Sequence, residues 1–346
     1  MVLGSDTAAA ALGDGVERMG GALAAVRAAT VRALGGRRAT AVLAAAEVLD
    51  ALPGLAEAAS ARARVVVHIL PPAGAPGELS TGRDELGPLL EVGVGVIVSW
   101  SDQDAVDLAV ALRRAAEDSE TPFVHVLDAP RGAVAPVDVP PASLLARFLG
   151  APPPAGAQPG DEAGVLRKRA ERAFAARVPF ALAGALRELG ELVGRPLTPI
   201  ERYETVDADE IVVALGSAFP AARDAARALR AEGKRVGVVG IRSLRPFLGA
   251  ELVKATARAR AIVCVEPLDL ALSPCGPAAV GLKAAFADAL TWAPGFPGVG
   301  RVPPIVSAAF ATVEGSVRER DVHAALAEIG TGERARRLVV FGSDFG

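Results

Sequence analysis

The chain is short of several residue types, and each shortage closes off a class of function. Its 346 residues include two cysteines, three histidines, one tyrosine and two tryptophans. Cys264 and Cys275 lack CxxC spacing and no histidine cluster stands beside them, so no zinc or iron–sulfur site is legible. Cys264, inside the apolar run 261–265, reads as a small buried thiol. No uncharged apolar run approaches the ~18 residues of a membrane-crossing helix, and even 92–101 stops at Asp102. No basic start followed by an apolar stretch marks the N-terminus, so the expected protein is soluble, unprocessed and at home in a reducing cytoplasm. A net charge of -3 with no basic stripe argues against nucleic acid as a partner. Neither a GxGxxG nor a P-loop is present, and GxSxG, HExxH, DxDxDG and kinase signatures are missing too.

What is present is a core. Hydrophobic residues make up 51% and charged residues 22%, enough apolar surface to bury two domains in a chain of this length. Four of the 37 basic residues are lysines (Lys168, Lys234, Lys254, Lys283), and alanine is abundant. Alanine raises helix propensity everywhere, so β-branched runs are the firmer guide. In the first half they predict strands at 65–70, 94–100 and 123–128, with a helix over 104–117 burying Val106, Leu108, Val110 and Leu112. From 130 to about 160 prolines accumulate, including Pro152, Pro153 and Pro154, which predicts a connector without helix or central strand. The following run Arg167, Lys168, Arg169 and Arg172 reads as a solvated helix face beside Leu166, Ala170, Phe174 and Val178.

The second half alternates more regularly: strands at 211–215, 236–241, 261–265 and 304–307, helices at 221–231, 249–257, 278–290 and 319–329. Such alternation predicts an α/β protein of two doubly wound, mainly parallel-sheet domains, 1–195 and 196–346. Among candidate site residues, Gly216 and Ser217 mark a strand-to-helix turn whose amides could face an anion, although a tight turn alone would also explain them. His125 interrupts an apolar strand just before Asp128, and His68 does the same at 65–70; each also fits a satisfied core histidine.

Longer stretches carry a resemblance. Residues 199–217 (PIERYETVDADEIVVALGS), 233–247 (GKRVGVVGIRSLRPF) and 262–266 (IVCVE) resemble successive strands of the transketolase C-terminal-like domain of the pyruvate:ferredoxin oxidoreductase family. Residues 99–109 (SWSDQDAVDLA) and 121–128 (TPFVHVLD) are similar to that family's N-terminal, pyrimidine-binding-like domain, with His125 on a strand histidine of the pattern. Residues 6–10 (DTAAA) resemble its opening helix, and 337–344 (RLVVFGSD) the start of its following domain.

The resemblance implies an α-type subunit in an enzyme that decarboxylates a 2-oxoacid oxidatively to an acyl-CoA. Thiamine diphosphate and iron–sulfur clusters would then sit on partners, a β-type thiamine-binding subunit and a ferredoxin-like subunit, in a hetero-oligomer also using coenzyme A. His125, Gly216 and Ser217 become candidate cofactor contacts. The family pattern also contains a Tyr-Pro-Ile-Thr-Pro loop after the first helix, a glutamate that activates the thiamine ring, and an arginine shortly after the strand holding His68. Here Gly20 and Gly21 lead directly to the segment beginning at Ala24, and Pro71 and Pro72 occupy the arginine region. The expectation is a subunit with a reduced catalytic contribution, its catalytic residues unidentified. Two alternatives stay open: an active subunit in which Glu47 or Glu78 supplies the carboxylate, and a non-enzymatic scaffold or ligand-binding module.

Overall fold

A computed structural model describes residues 1–12, 15–71, 86–128, 136–155, 175–267, 272–273, 275–311, 317–330 and 337–341. The chain divides into two compact units: residues 1–72, 85–127 and 135–199 form the first, and residues 73–84, 128–134 and 200–346 the second. The run 167–172 and Glu78 lie outside the described residues.

The first unit is built from β1 (Val2–Gly4), α1 (Asp6–Leu12), β2 (Val16–Arg18), α2 (Ala22–Leu34), β3 (Thr40–Ala44), α3 (Val48–Ser60), β4 (Val66–Leu70), α4 (Leu86–Leu89), β5 (Gly95–Val98), α5 (Asp102–Ser119), β6 (Phe123–Val126), α6 (Ala142–Leu149) and α7 (Val178–Val193). Its strands run parallel in the order β5-β6-β4-β3-β1-β2. Since β2 lies on one side of β1 and β3 on the other, the order reverses at β1/β3. Strand ends at such a reversal are where open α/β sheets present a crevice.

The core shows why these segments fold. Phe123, Leu108 and Leu112 pack with Phe148 of α6 and with Leu182, Leu186 and Leu189 of α7, all fully buried. Each such side chain is worth about 1.5–3 kcal/mol on leaving water. Gly95 is required by that packing, because a Cβ there would stand 2.3 Å from the Phe123 ring. Ser101 starts α5 by accepting a hydrogen bond from the Asp104 amide at 3.2 Å. Val106 and Val110 are only half-buried, whereas Ala111, Ala115 and Ala116 share the buried face with Leu108 and Leu112.

The proline-rich stretch is not a plain connector. It contains α6, flanked by Pro140, Pro141 and Pro152 with no proline inside, and Pro141 stands at the N-cap where a missing amide costs nothing. Phe148 anchors that helix in the core.

The second unit comprises β7 (Ile200–Tyr203), β8 (Glu210–Leu215), α8 (Ala218–Ala231), β9 (Val236–Ile241), β10 (Ser243–Arg245), α9 (Gly249–Thr256), β11 (Ala261–Glu266), α10 (Pro277–Leu290), β12 (Ile305–Ala311), α11 (Glu319–Gly330) and β13 (Arg337–Phe341). The sheet order is β13-β12-β11-β8-β9-β7, parallel except for the edge strand β7, which runs antiparallel to β9. The order reverses at β8/β11. Residues 337–341 form β13, with which Ser307 to Ala311 pair in register at the edge of this sheet. The segment foreseen at 304–307 is likewise a full strand, β12, held between two neighbours.

Together the units make an α/β protein with two mainly parallel sheets and flanking helices. Among the described residues no helix is long and apolar enough to cross a membrane.

Candidate functional site

Each unit places a glutamate at its strand-order reversal. In the first unit β1 ends at Gly4, and Ser5 follows, fully buried, with its amide on the Val42 carbonyl at 3.1 Å. Ser5 caps α1: its hydroxyl accepts from the Ala8 amide at 3.3 Å and its carbonyl from the Ala9 amide at 2.8 Å. The same hydroxyl donates to Oε2 of Glu47, just beyond the end of β3. The Ala44 amide donates to that oxygen as well, at 3.1 Å. The half-buried Glu47 carboxylate is thus fixed at the β1/β3 crevice.

Next to this crevice β2 passes to α2 through three residues, Met19, Gly20 and Gly21. Gly20 and Gly21 have φ of 72° and 149°, a backbone that side-chain-bearing residues rarely adopt, which is how so short a link turns. It carries no acid.

His68 and His125 are directly opposite each other on β4 and β6. Their Nδ1 atoms lie 3.0 Å apart, with rings edge-on at a centroid distance of 5.2 Å. One Nδ1 must donate and the other accept, so the contact requires that at least one of the two imidazoles is neutral. Burial agrees: it lowers His68 to about 4, helped by the charge of Arg113, and it holds His125 well below 6.5, helped by His68. Arg113 is itself buried, and donates to the Ala39 and Arg64 carbonyls and to the Thr40 hydroxyl at 2.7–3.0 Å. Nε2 of His125 is buried with no hydrogen-bond partner among the described residues.

In the second unit the β8 end presents Gly216 and Ser217. Gly216 has φ of 58°, so the turn requires glycine's freedom. The anion at this turn comes from the chain itself, since the Ser217 amide donates to Oδ2 of Asp128 at 2.7 Å. The Ser217 hydroxyl is buried and has no hydrogen-bond partner among the described residues. Across the reversal, Glu266 ends β11 fully buried, its two oxygens accepting from the Ala278 and Ala279 amides at 2.8 and 3.1 Å at the start of α10. Burial raises its pKa to about 7 against the pull of those two amides and of Lys283. Gly276 allows this approach, as a Cβ there would stand 2.3 Å from the carboxylate.

Reasoning from sequence singled out His125, Gly216, Ser217 and Glu47. The fold brings His125 onto His68 and Glu47 onto Ser5. It missed Ser5 and Glu266, although an acid closing the apolar strand 261–265 was a usable signal for the latter. Among the described residues no group of three histidine, cysteine or acidic side chains could hold a metal.

Two family models match the chain. The thiamine-diphosphate-binding model of pyruvate flavodoxin/ferredoxin oxidoreductases covers residues 6–166, and core domain II of pyruvate:ferredoxin oxidoreductase covers residues 208–292. Pyruvate synthase subunit PorA of Methanothermobacter thermautotrophicus is 35% identical over 82 residues, 24% of this chain and 21% of the relative. The alpha subunit of NADH-dependent phenylglyoxylate dehydrogenase of Aromatoleum evansii is 33% identical over 75 residues, 21% of this chain and 18% of the relative. The matched stretches thus span about a fifth of these relatives. In fold, the chain is similar to the 2-oxoglutarate:ferredoxin oxidoreductase of Magnetococcus marinus, with a TM-score of 0.58 at 13% identity, covering 94% of this chain and 61% of that one.

Proposed function

Because the chain belongs to the pyruvate:ferredoxin oxidoreductase family, we propose that it is an α-type subunit of a 2-oxoacid:ferredoxin oxidoreductase whose own catalytic contribution is reduced. Its place is in a cytoplasmic hetero-oligomer, beside a β-type subunit that holds thiamine diphosphate and a ferredoxin-like subunit that holds clusters. The relatives carry pyruvate, phenylglyoxylate and 2-oxoglutarate in their names, which supports the 2-oxoacid class and no single member of it.

The observation that carries the reduced contribution is the three-residue link between β2 and α2. Thiamine diphosphate held by a partner would supply the nucleophilic chemistry that a 2-oxoacid decarboxylation needs. That chemistry would call on a protein carboxylate at the aminopyrimidine ring, a proton-transfer role worth about 10² to 10⁴ in rate. Where the family pattern has a loop and a glutamate, this chain has Met19, Gly20 and Gly21, none of which can take or give that proton. These residues do not fit the activating role. His125 in the first unit, and separately Gly216 and Ser217 in the second, are the chain's candidate contacts to partner-held groups, Nε2 of His125 and the Ser217 hydroxyl being buried without a hydrogen-bond partner among the described residues.

The test is co-expression with a β-type subunit and a ferredoxin-like subunit, followed by viologen reduction with a panel of 2-oxoacids. The expected result is a stable complex in which Glu47→Gln leaves turnover unchanged. A chain that remains a lone monomer beside both subunits overturns the proposal.

One observation favours a second reading, an active subunit with a relocated acid: Glu47 sits at the β1/β3 crevice, oriented by Ser5 and the Ala44 amide. On that reading Glu47→Gln abolishes turnover and Ser5→Ala lowers it. A non-enzymatic module would instead give no calorimetric heat with thiamine diphosphate, coenzyme A or 2-oxoacids.

A further inference from the structure

The opposite end of the second sheet carries a cavity that the proposed function does not use. Glu266 and the β8/β11 reversal stand where β11 ends, whereas α9 closes at Thr256, just ahead of the start of β11, and residues 297–301 lead into β12. Between these two segments lies an open cavity of about 620 Å³, lined by Lys254, Ala257 and Arg258 from the first and by residues 297–301 from the second. That is the size of a small-molecule pocket. Its charge is one-sided. Lys254 donates to Glu251 at 2.8 Å and Arg301 to the Ala259 carbonyl at 3.4 Å, and neither Arg258 nor Arg301 has a carboxylate partner among the described residues. By contrast Arg235 and Arg260, at the same ends of the neighbouring strands, both pair with Asp209. The carbonyls closing α9 account for cations near its last turn, but not for Arg301, which arrives from another segment.

The wall beside these cations is aromatic. Trp292 is 75% exposed, and its backbone lies in the left-handed region at φ 60°, which side-chain-bearing residues seldom adopt. Its six-membered ring packs against Gly298, where a Cβ would collide with it. The loop is tied down by the Val299 amide, which donates to the Ala289 carbonyl of α10 at 3.3 Å. We propose that this cavity is a binding site for a nucleoside diphosphate, its phosphates on Arg258 and Arg301 and its base on the Trp292 indole. Guanidinium groups match phosphate oxygens bidentately, Gly298 and Gly300 leave backbone uncovered for close approach, and an exposed indole gives a base a surface to stack on. The two features together favour a nucleotide over a bare anion, which needs no ring, and over a free nucleoside, which needs no cation.

The experiment titrates the full chain with ADP, pyrophosphate and adenosine, by calorimetry and by tryptophan emission. Trp100 is buried, so ADP should quench chiefly Trp292, and Trp292→Leu should remove the saturable change. Arg258→Gln and Arg301→Gln should each weaken ADP about tenfold. Trp292→Leu should weaken ADP about tenfold and leave pyrophosphate unchanged, and adenosine should bind at least about tenfold more weakly than ADP. Melting curves show whether each variant is folded. No saturable binding of ADP, or an unchanged affinity in a folded Arg258→Gln/Arg301→Gln double variant, overturns the proposal, and pyrophosphate binding as tightly as ADP overturns the place given to the base. The titration needs no partner subunit, so its failure is distinct from failure of the proposed function.

Discussion

The two strand-order reversals are built from the same parts and solve opposite electrostatic problems. In the first unit Glu47 stays half-buried and is steadied by a hydroxyl and one amide, while on the neighbouring strands the buried imidazole of His125 pairs with the half-buried one of His68. In the second unit Glu266 is fully buried, and its charge is met by two amides at a helix start, where the backbone dipole favours an anion. A half-buried acid such as Glu47 keeps part of its side chain at the surface. A sealed one ties a helix to a strand, so position at a crevice alone does not make a glutamate catalytic.

The comparison can be broken most forcefully at Arg113. Arg113→Met should cost the first unit about 2–4 kcal/mol in urea unfolding, because two carbonyls and a hydroxyl lose a charged donor inside the protein. Glu266→Ala should cost the second unit about 2 kcal/mol by leaving the Ala278 and Ala279 amides without acceptors. A loss well under half of that would mean that water replaces the carboxylate and that the helix start is not sealed.

A subtler contrast lies in pH. His68 is lowered from 6.5 to about 4, so the unfolded state binds its proton first as pH falls. The stability that the neutral pair confers is complete above 6.5 and is lost on acidification toward 4. Glu266 is raised from 4.5 to about 7, so the unfolded state gives up its proton first as pH rises, and stability complete below 4.5 is lost toward 7. Each group alone gives a slope of at most about 1.4 kcal/mol per pH unit. Hydrogen exchange corrected for intrinsic rates should therefore show β6 amides gaining protection with pH and β11 amides losing it. The double variant His68→Leu/His125→Leu should flatten the first trend only. At the small end, Arg27→Ala should leave the melting midpoint where it is, since the Arg27–Glu57 pair is exposed at the surface.

The legible elements were those whose residues announce burial on their own. The strands at 236–241 (VGVVGI) and 261–265 (AIVCV) are rich in valine and isoleucine and carry no charge, and the observed elements lie there. By contrast β1 and β2 have three residues each, and β3 reads TAVLA, a string that alanine makes as acceptable to a helix. They are strands because their neighbours supply the ladder: β1 lies between β2 and β3, β3 between β1 and β4, and β2 pairs with β1 at the edge. The helix α6 was hidden by its flanking prolines, and Phe148 reveals it only once α5 and α7 are in place. Glu47 was visible as an acid, but nothing local connects it to Ser5, 42 residues away.

Sequence by itself determined the alternation of strands and helices, the family resemblance, and the absence of an acid between β2 and α2, because these depend on residue type and order along the chain. Tertiary structure alone decided that β4 lies against β6, which makes two distant histidines one hydrogen-bonded pair, and that Glu266 meets the start of α10. Strand order and helix docking follow from how apolar faces are shared among many segments. Which polar groups end up facing one another is a consequence of that global packing, and no local stretch encodes it.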